Sequence, residues 1–238
     1  MQRRHFNQHL AASVASLATL LVTGALQQAH ALSLSDLSEK EVGNGLKAAL
    51  EKGALAAVAL LGQSGGFLDN PKVRIALPGH LEDAAKLLRM TGQGKQVDEL
   101  VVGMNRAAEA AVPMGRDLLV KAVKSMTVQD AKQILSGGDD AVTRFFADKT
   151  RAPLSQSFLP VVTQAVSKVG LAKSYNRVAS KAAGLGLVKP EEASVEQHVT
   201  GKALDGLYTL IGEEERKIRQ DPVGAGSKLI EKVFGAVK

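Results

Sequence analysis

Between Val97 and Met126, apolar side chains return at the spacing of an α-helix. Val97, Leu100, Val101, Met104, Ala108, Ala111, Gly115, Leu118, Leu119, Ala122 and Met126 share one face. A strand would instead need strict alternation, so this stretch commits the middle of the chain to helix. Pro113 lies inside it and predicts a kink. The rest of the composition agrees. Alanine occurs 34 times in 238 residues, tryptophan never, and aromatics make up 3%. Such a chain suits closely packed helices rather than a β-sandwich, which draws on aromatic and β-branched residues.

Cap and breaker signals divide the remainder into helices. Ser38-x-x-Glu41 reads as a capping box that opens a helix towards Leu50, with Gly53 separating it from the apolar run Ala54 to Leu61. Gly62 to Gly66 breaks the chain, and Asp69-Asn70-Pro71 is a turn signal. Val73, Ile75 and Leu77 alternate with Lys72, Arg74 and Ala76 up to Pro78, the one extended segment predicted. A helix follows from Leu81 to Met90, closed by Gly92, and then the long one from about Lys95 to Ser125. Thr127-x-x-Asp130 opens another, stopped by Gly137-Gly138; Asp139 or Asp140 caps the next through Phe145-Phe146. Further helices are expected over 153–169 and 171–183, with a loop from Gly184 to Pro190. Ser194-x-x-Gln197 reads as another capping box and opens a helix towards Gln220, ended by Asp221-Pro222, and a short C-terminal helix carries Leu229, Val233 and Phe234. No repeat or linker divides the chain. The expected fold is all-α, a single compact multi-helix domain over 32–238.

Residues 1–31 read as a cleaved signal peptide. Arg3 and Arg4 precede an apolar run from Leu10 to Leu26, and Ala29-His30-Ala31 has the small-x-small cleavage pattern. The run is short for a membrane span and is diluted by Ser13, Ser16, Thr19 and Thr23. The absence of cysteine excludes lipid attachment at the site, together with disulfides, thiolate metal ligands and cysteine nucleophiles. The expected location is exported, periplasmic. Arg3-Arg4-His5-Phe6 also resembles a twin-arginine core but departs from it at Gln2 and Asn7, so the general secretory route is favoured and the twin-arginine route stays open. Losing Arg3 and Arg4 lowers the net charge from +6 by two. No lysine and arginine cluster is interleaved with aromatics, so nucleic acid is not an expected partner.

Motifs of catalysis and metal binding are weak. Gly62-Gln63-Ser64-Gly65-Gly66 matches G-x-S-x-G, but a nucleophile elbow needs a strand before it and a helix after it. Here a helix-like run precedes and a turn follows, and only His80 and His198 remain as bases. His80-x-Glu82-Asp83 starts a helix and His198 reads as a lone surface histidine, so no metal or cofactor is expected. Gly201-Lys202 lacks the glycine-rich loop and following hydroxyl of a phosphate loop.

Two polar clusters stand out against apolar helices. From Leu100 to Met114 the polar side chains are Asn105, Arg106 and Glu109, within one arc of about 100°. A helix apolar nearly all round is buried on several sides, so Arg106 and Glu109 should pair with each other or with a facing helix. Near the C-terminus, Leu204, Leu207, Tyr208, Ile211 and Ile218 form an apolar face into which Glu215 projects, with Arg219 one turn on. Glu213 to Lys217 and Glu215 to Arg219 both have the favourable i,i+4 order. Each cluster is either an internal ion-pair network that sets helix register or a polar cleft for a small ligand.

These residues also carry a resemblance. Asn105-Arg106-Ala107-Ala108-Glu109, Glu215-x-x-Ile218-Arg219-x-x-Pro222, Arg74-Ile75-x-x-Pro78 and Phe234-Gly235 make the chain resemble, from about Leu34 to Gly235, the bacterial family called domain of unknown function 4197. The resemblance implies an exported, single-domain, largely helical protein and assigns no catalytic residue. The expected function is binding of a ligand or a periplasmic protein partner without catalysis, with Asn105, Arg106, Glu109, Glu215 and Arg219 as the candidate ligand-binding or buried polar positions. The alternatives are a hydrolase using Glu109 or Glu215, and a carrier of an apolar ligand.

Overall fold

Ser38 accepts from the Glu41 N–H while Glu41 Oε2 accepts from the Ser38 N–H, and the chain enters helix α1, Glu39–Leu61. The same reciprocal box, made by Thr127 and Asp130, opens α5, Val128–Ser136. Each box satisfies N–H groups that the first helical turn leaves without partners. The computed structural model describes residues 38–138, 140–168, 170, 172, 173, 175, 176 and 194–235. The signal-peptide segment, most of the helix expected over 171–183 and the loop from Gly184 to Pro190 lie outside the described residues, as does Asp139.

The all-α expectation holds: the described residues form helices and loops with no strand among them, within one compact unit spanning 31–238. α2 is Gly79–Met90 and α3 is Gly94–Ala111. A 3-10 turn over Val112–Gly115 leads into α4, Arg116–Lys124. The long helix expected from Lys95 is therefore interrupted at Pro113, which lacks the N–H an uninterrupted α-helix would use. α6 is Ala141–Val166, α7 is Val195–Gln220 and α8 is Lys228–Gly235.

Two expected breaks are absent. Gly53 does not divide α1, because Leu46, Ala49, Leu50, Gly53, Ala54, Ala57, Val58 and Leu61 form one buried face across it. The helices expected around Phe145-Phe146 and over 153–169 are one helix, α6, which runs through Pro153 and Pro160. Its buried residues recur at every fourth position from Val142 through Phe146, Thr150, Leu154, Phe158 and Val162 to Val166. Both prolines sit off that row, where solvent can take the carbonyls they leave free.

α7 is the central element, packed against α1, α3 and α6, and more than half of its residues are buried. It joins α6 by polar contact as well: Tyr208 OH lies 3.0 Å from Thr150 Oγ1, and the Arg151 guanidinium stacks over the Tyr208 ring. Burial in this seam raises the Tyr208 pKa, although the Thr150 bond opposes it.

Candidate functional site

The site grows from the loop between α1 and α2, residues 62–78, which carries the glycine-rich stretch and the alternating segment. Gly65 has φ +87°, a conformation that strains any side chain. Gly206 of α7 lets the loop lie directly on the helix, since a Cβ there would stand 2.9 Å from the Phe67 ring and 3.2 Å from Val73.

α3 holds this loop with the three polar residues the sequence singles out. Glu109, 5% exposed, accepts the backbone N–H groups of Phe67 and Leu68, both at 3.1 Å, through Oε1. Its Oε2 accepts from Arg106 Nη1 at 2.6 Å, and Arg106 also donates to Ser64 Oγ at 2.8 Å. Burial alone would raise the Glu109 pKa. Arg106 and the N–H groups of Leu68, Phe67 and Gly65 outweigh it and hold the carboxyl below its usual range. Ser64 thus follows a helix and is engaged by a guanidinium, without the strand that a nucleophile elbow requires.

Asn105 is fully buried and binds both polar backbone groups of Ile75. Its Oδ1 accepts the Ile75 N–H at 2.8 Å, and its Nδ2 donates to the Ile75 carbonyl at 2.8 Å and to Val101 O at 2.8 Å. One side chain supplies what a neighbouring strand would supply to residue 75. Val73 and Ile75 are buried while Arg74 and Ala76 are exposed, so burial alternates without a sheet. The expected extended segment begins later than Lys72, because Pro71 to Val73 form a turn in which the Val73 and Arg74 N–H groups both bond the Asn70 carbonyl. Its opposite edge faces α7, where His198 Nε2 lies 3.0 Å from the Ala76 carbonyl. A carbonyl only accepts, so Nε2 carries the proton. The expectation of a lone surface histidine is therefore wrong: His198 is 4% exposed and ties α7 to the segment.

Between the segment and α7 runs an open groove of about 440 Å³, lined by residues 72–79 and by His198, Lys202, Asp205, Gly206 and Thr209. His198, Lys202, Asp205 and Thr209 recur at i, i+4, i+7 and i+11, one stripe of α7. That stripe was visible in the sequence as polar residues beside the apolar face. What sequence could not supply was the opposing wall, 122 residues away in the chain at the contact between His198 and Ala76. A second open groove, about 590 Å³, lies between α5 and α6 beside Asp130, Ile134, Arg144, Phe145 and Lys149.

The second polar cluster is separate. Glu215, 3% exposed, accepts from Arg219 Nη2 at 2.7 Å and Nε at 3.1 Å, and the guanidinium lies 5.8 Å from the centre of the Phe234 ring on α8. The i,i+4 order is realised at Glu215–Arg219 but not at Glu213–Lys217. Glu213 instead pairs with Lys72 of the loop and Lys217 with Glu214. Among the described residues no hydrogen bond joins the Glu215–Arg219 pair to Asn105, Arg106 or Glu109.

Among the described residues no group of three or more histidines, aspartates or glutamates could hold a metal ion, and no helix is long and apolar enough to cross a membrane. The motifs carrying the resemblance meet in pairs: Asn105 to Glu109 with the loop of Arg74-Ile75-x-x-Pro78, and Glu215 to Arg219 with Phe234. A family model described as "Protein of unknown function (DUF4197)" matches residues 36–235. No curated protein and no solved structure matches the chain.

Proposed function

The chain belongs to this DUF4197 family, whose function is unknown, and from that premise we propose that it is an exported, non-catalytic protein that binds a ligand in the groove between residues 72–79 and α7. The observation that carries the reading is the groove itself. A volume of about 440 Å³ falls in the range of ligand sites, and its two walls present free backbone and a stripe of polar side chains. The polar clusters support an architectural role beside it. The Glu109 carboxylate is engaged by Arg106 and by backbone N–H groups and is held in its charged form, which suits a fastener rather than a general acid. The open, partly polar groove favours a solvated ligand over an apolar cargo.

Native mass spectrometry of the protein isolated from the exported fraction tests the reading. A bound molecule is expected on the wild type and absent from Lys202→Glu and Thr209→Arg. Equal occupancy in those variants, or a wild type that carries nothing, removes it.

A further inference from the structure

We infer that the ligand of this groove is an extended peptide segment with acidic side chains, added as a strand to the free edge of residues 74–76; the inference rests on the groove being the binding site. Extended backbone presents the polar groups of alternate residues to opposite sides. Asn105 occupies both groups of Ile75 on the α3 side. The polar groups of Arg74 and Ala76 therefore point the other way, and His198 on α7 reaches the Ala76 carbonyl from that side. The Arg74 N–H is taken by the Asn70 carbonyl. Among the described residues the Ala76 N–H meets no acceptor and the Arg74 carbonyl no donor. One residue of an extended peptide, donating to Arg74 O and accepting from Ala76 N–H, satisfies both, which is the pairing of strand addition.

The side-chain preference follows from the groove's charge. Lys72, Arg74 and Lys202 line it against a single carboxylate, Asp205. Lys72 is paired with Glu213, and Asp205 is shared between Arg151 at 2.7 Å and Lys202 at 4.0 Å. Arg74 is exposed and spends one N–H on the Leu68 carbonyl at 3.3 Å. Arg74 thus remains in excess on the wall of residues 72–79, and on α7 Lys202 is balanced by Asp205 but lies farther from it than Arg151 does. Side chains of an added strand alternate, so acidic residues at every second position reach Arg74 and Lys202.

The probe is a six-residue peptide of alternating glutamate and valine, acetylated and amidated. It is compared with its lysine counterpart and with versions N-methylated along one edge or the other. Calorimetry gives affinity, and hydrogen exchange gives the state of the Ala76 amide. N-methylation of the pairing edge should weaken binding about tenfold, while the other edge tolerates it. The lysine peptide should bind about tenfold more weakly, and Lys202→Glu should invert that order. The Ala76 amide should exchange at least about tenfold more slowly in the complex, where the new hydrogen bond closes it. Ala76→Pro, which lacks the N–H, should lose the effect of edge methylation. Equal affinity for all methylated forms, or an Ala76 amide left unprotected, overturns the proposal. So does protection of that amide by self-association without peptide. Should peptides fail while the molecule found on the isolated protein still requires Lys202, the peptide is wrong and the groove stands; should both fail, both are wrong.

Discussion

Asn105 on α3 stands in for a β-strand to Ile75: its amide accepts the Ile75 N–H and donates to the Ile75 carbonyl, each at 2.8 Å. An all-helical protein thereby keeps one extended segment in place with a single buried side chain. The same three-residue arc of α3 pins the glycine-rich turn through Glu109. The groove wall is therefore held from behind, and on its other edge, where His198 takes the Ala76 carbonyl, the Arg74 carbonyl and the Ala76 N–H stay unpaired among the described residues.

Asn105→Ala strands two backbone groups of Ile75 against a buried helix. Each unsatisfied buried group costs about 1–3 kcal/mol, so a loss of roughly 3 kcal/mol is expected in urea denaturation. Amide exchange at Ile75 should quicken in the same variant. A loss under about 1 kcal/mol would mean that water replaces the amide and that the segment holds itself.

Glu109 and Arg106 should behave unequally. Glu109→Ala removes the acceptor for the Phe67 and Leu68 N–H groups and should cost about 2–4 kcal/mol. Adding Arg106→Leu should recover little, because those N–H groups stay unpaired. Arg106→Leu alone leaves Glu109 with its backbone donors and should cost less than Glu109→Ala. Full recovery in the double variant would show that the ion pair, not the loop, is the partner that matters.

The opposite asymmetry is expected at Glu215 and Arg219. The Arg219 side chain is 32% exposed and the Glu215 side chain only 3%. Arg219→Leu strands a buried carboxylate and should cost about 3–5 kcal/mol, whereas Glu215→Ala leaves a guanidinium that can reach water and should cost about half as much. The double variant should regain most of the larger loss. Equal single losses in chemical denaturation would refute this ordering.

Acid should weaken the fold through carboxylates. Glu109 is held below its ordinary 4.5 by Arg106 and loop N–H groups despite its burial, and Glu41 is lowered to about 2 chiefly by its bond from Lys232 on α8. A depressed folded pKa gives stability that is present above the unfolded value and is lost as pH falls through the folded one. Stability should therefore be level above about pH 4.5 and fall towards pH 2. Glu109→Gln should flatten part of that fall, and Glu41→Gln another part. Denaturation midpoints measured from pH 6 to pH 2 decide the matter, and an unchanged slope in both variants contradicts it.

Export makes a covalent prediction. Cleavage after Ala31 leaves Leu32 as the first residue, which intact-mass measurement of the exported protein reads directly. Replacing Arg3 and Arg4 with lysine should be tolerated by the general secretory route and not by the twin-arginine route. A retained full-length form refutes the cleavage.

Helix placement was legible wherever a local rule sufficed. The Ser38–Glu41 capping box is realised in full and the Ser194–Gln197 box only by half, since Ser194 Oγ accepts the Gln197 N–H without a reciprocal bond. Pro113 breaks the central helix, and Gly92 at φ +81° closes α2. The pairs Arg106–Glu109 and Glu215–Arg219 were legible for the same reason, since helical period alone brings side chains three and four residues apart together. Expected breaks failed where packing outweighed propensity, at Gly53 in α1 and between Phe146 and residue 153 in α6. The groove was beyond local rules altogether. Neither the bond from His198 to Ala76 nor that from Asn105 to Ile75 has any signature within a window of sequence, because each joins elements whose approach depends on how the whole core closes. The sequence by itself determined the helices, their caps and their internal ion pairs, which depend on neighbours a few residues away. The tertiary structure alone decided which backbone edge stays unpaired and which polar stripe faces it, because burial of the shared apolar faces of α1, α3, α6 and α7 sets those long-range positions.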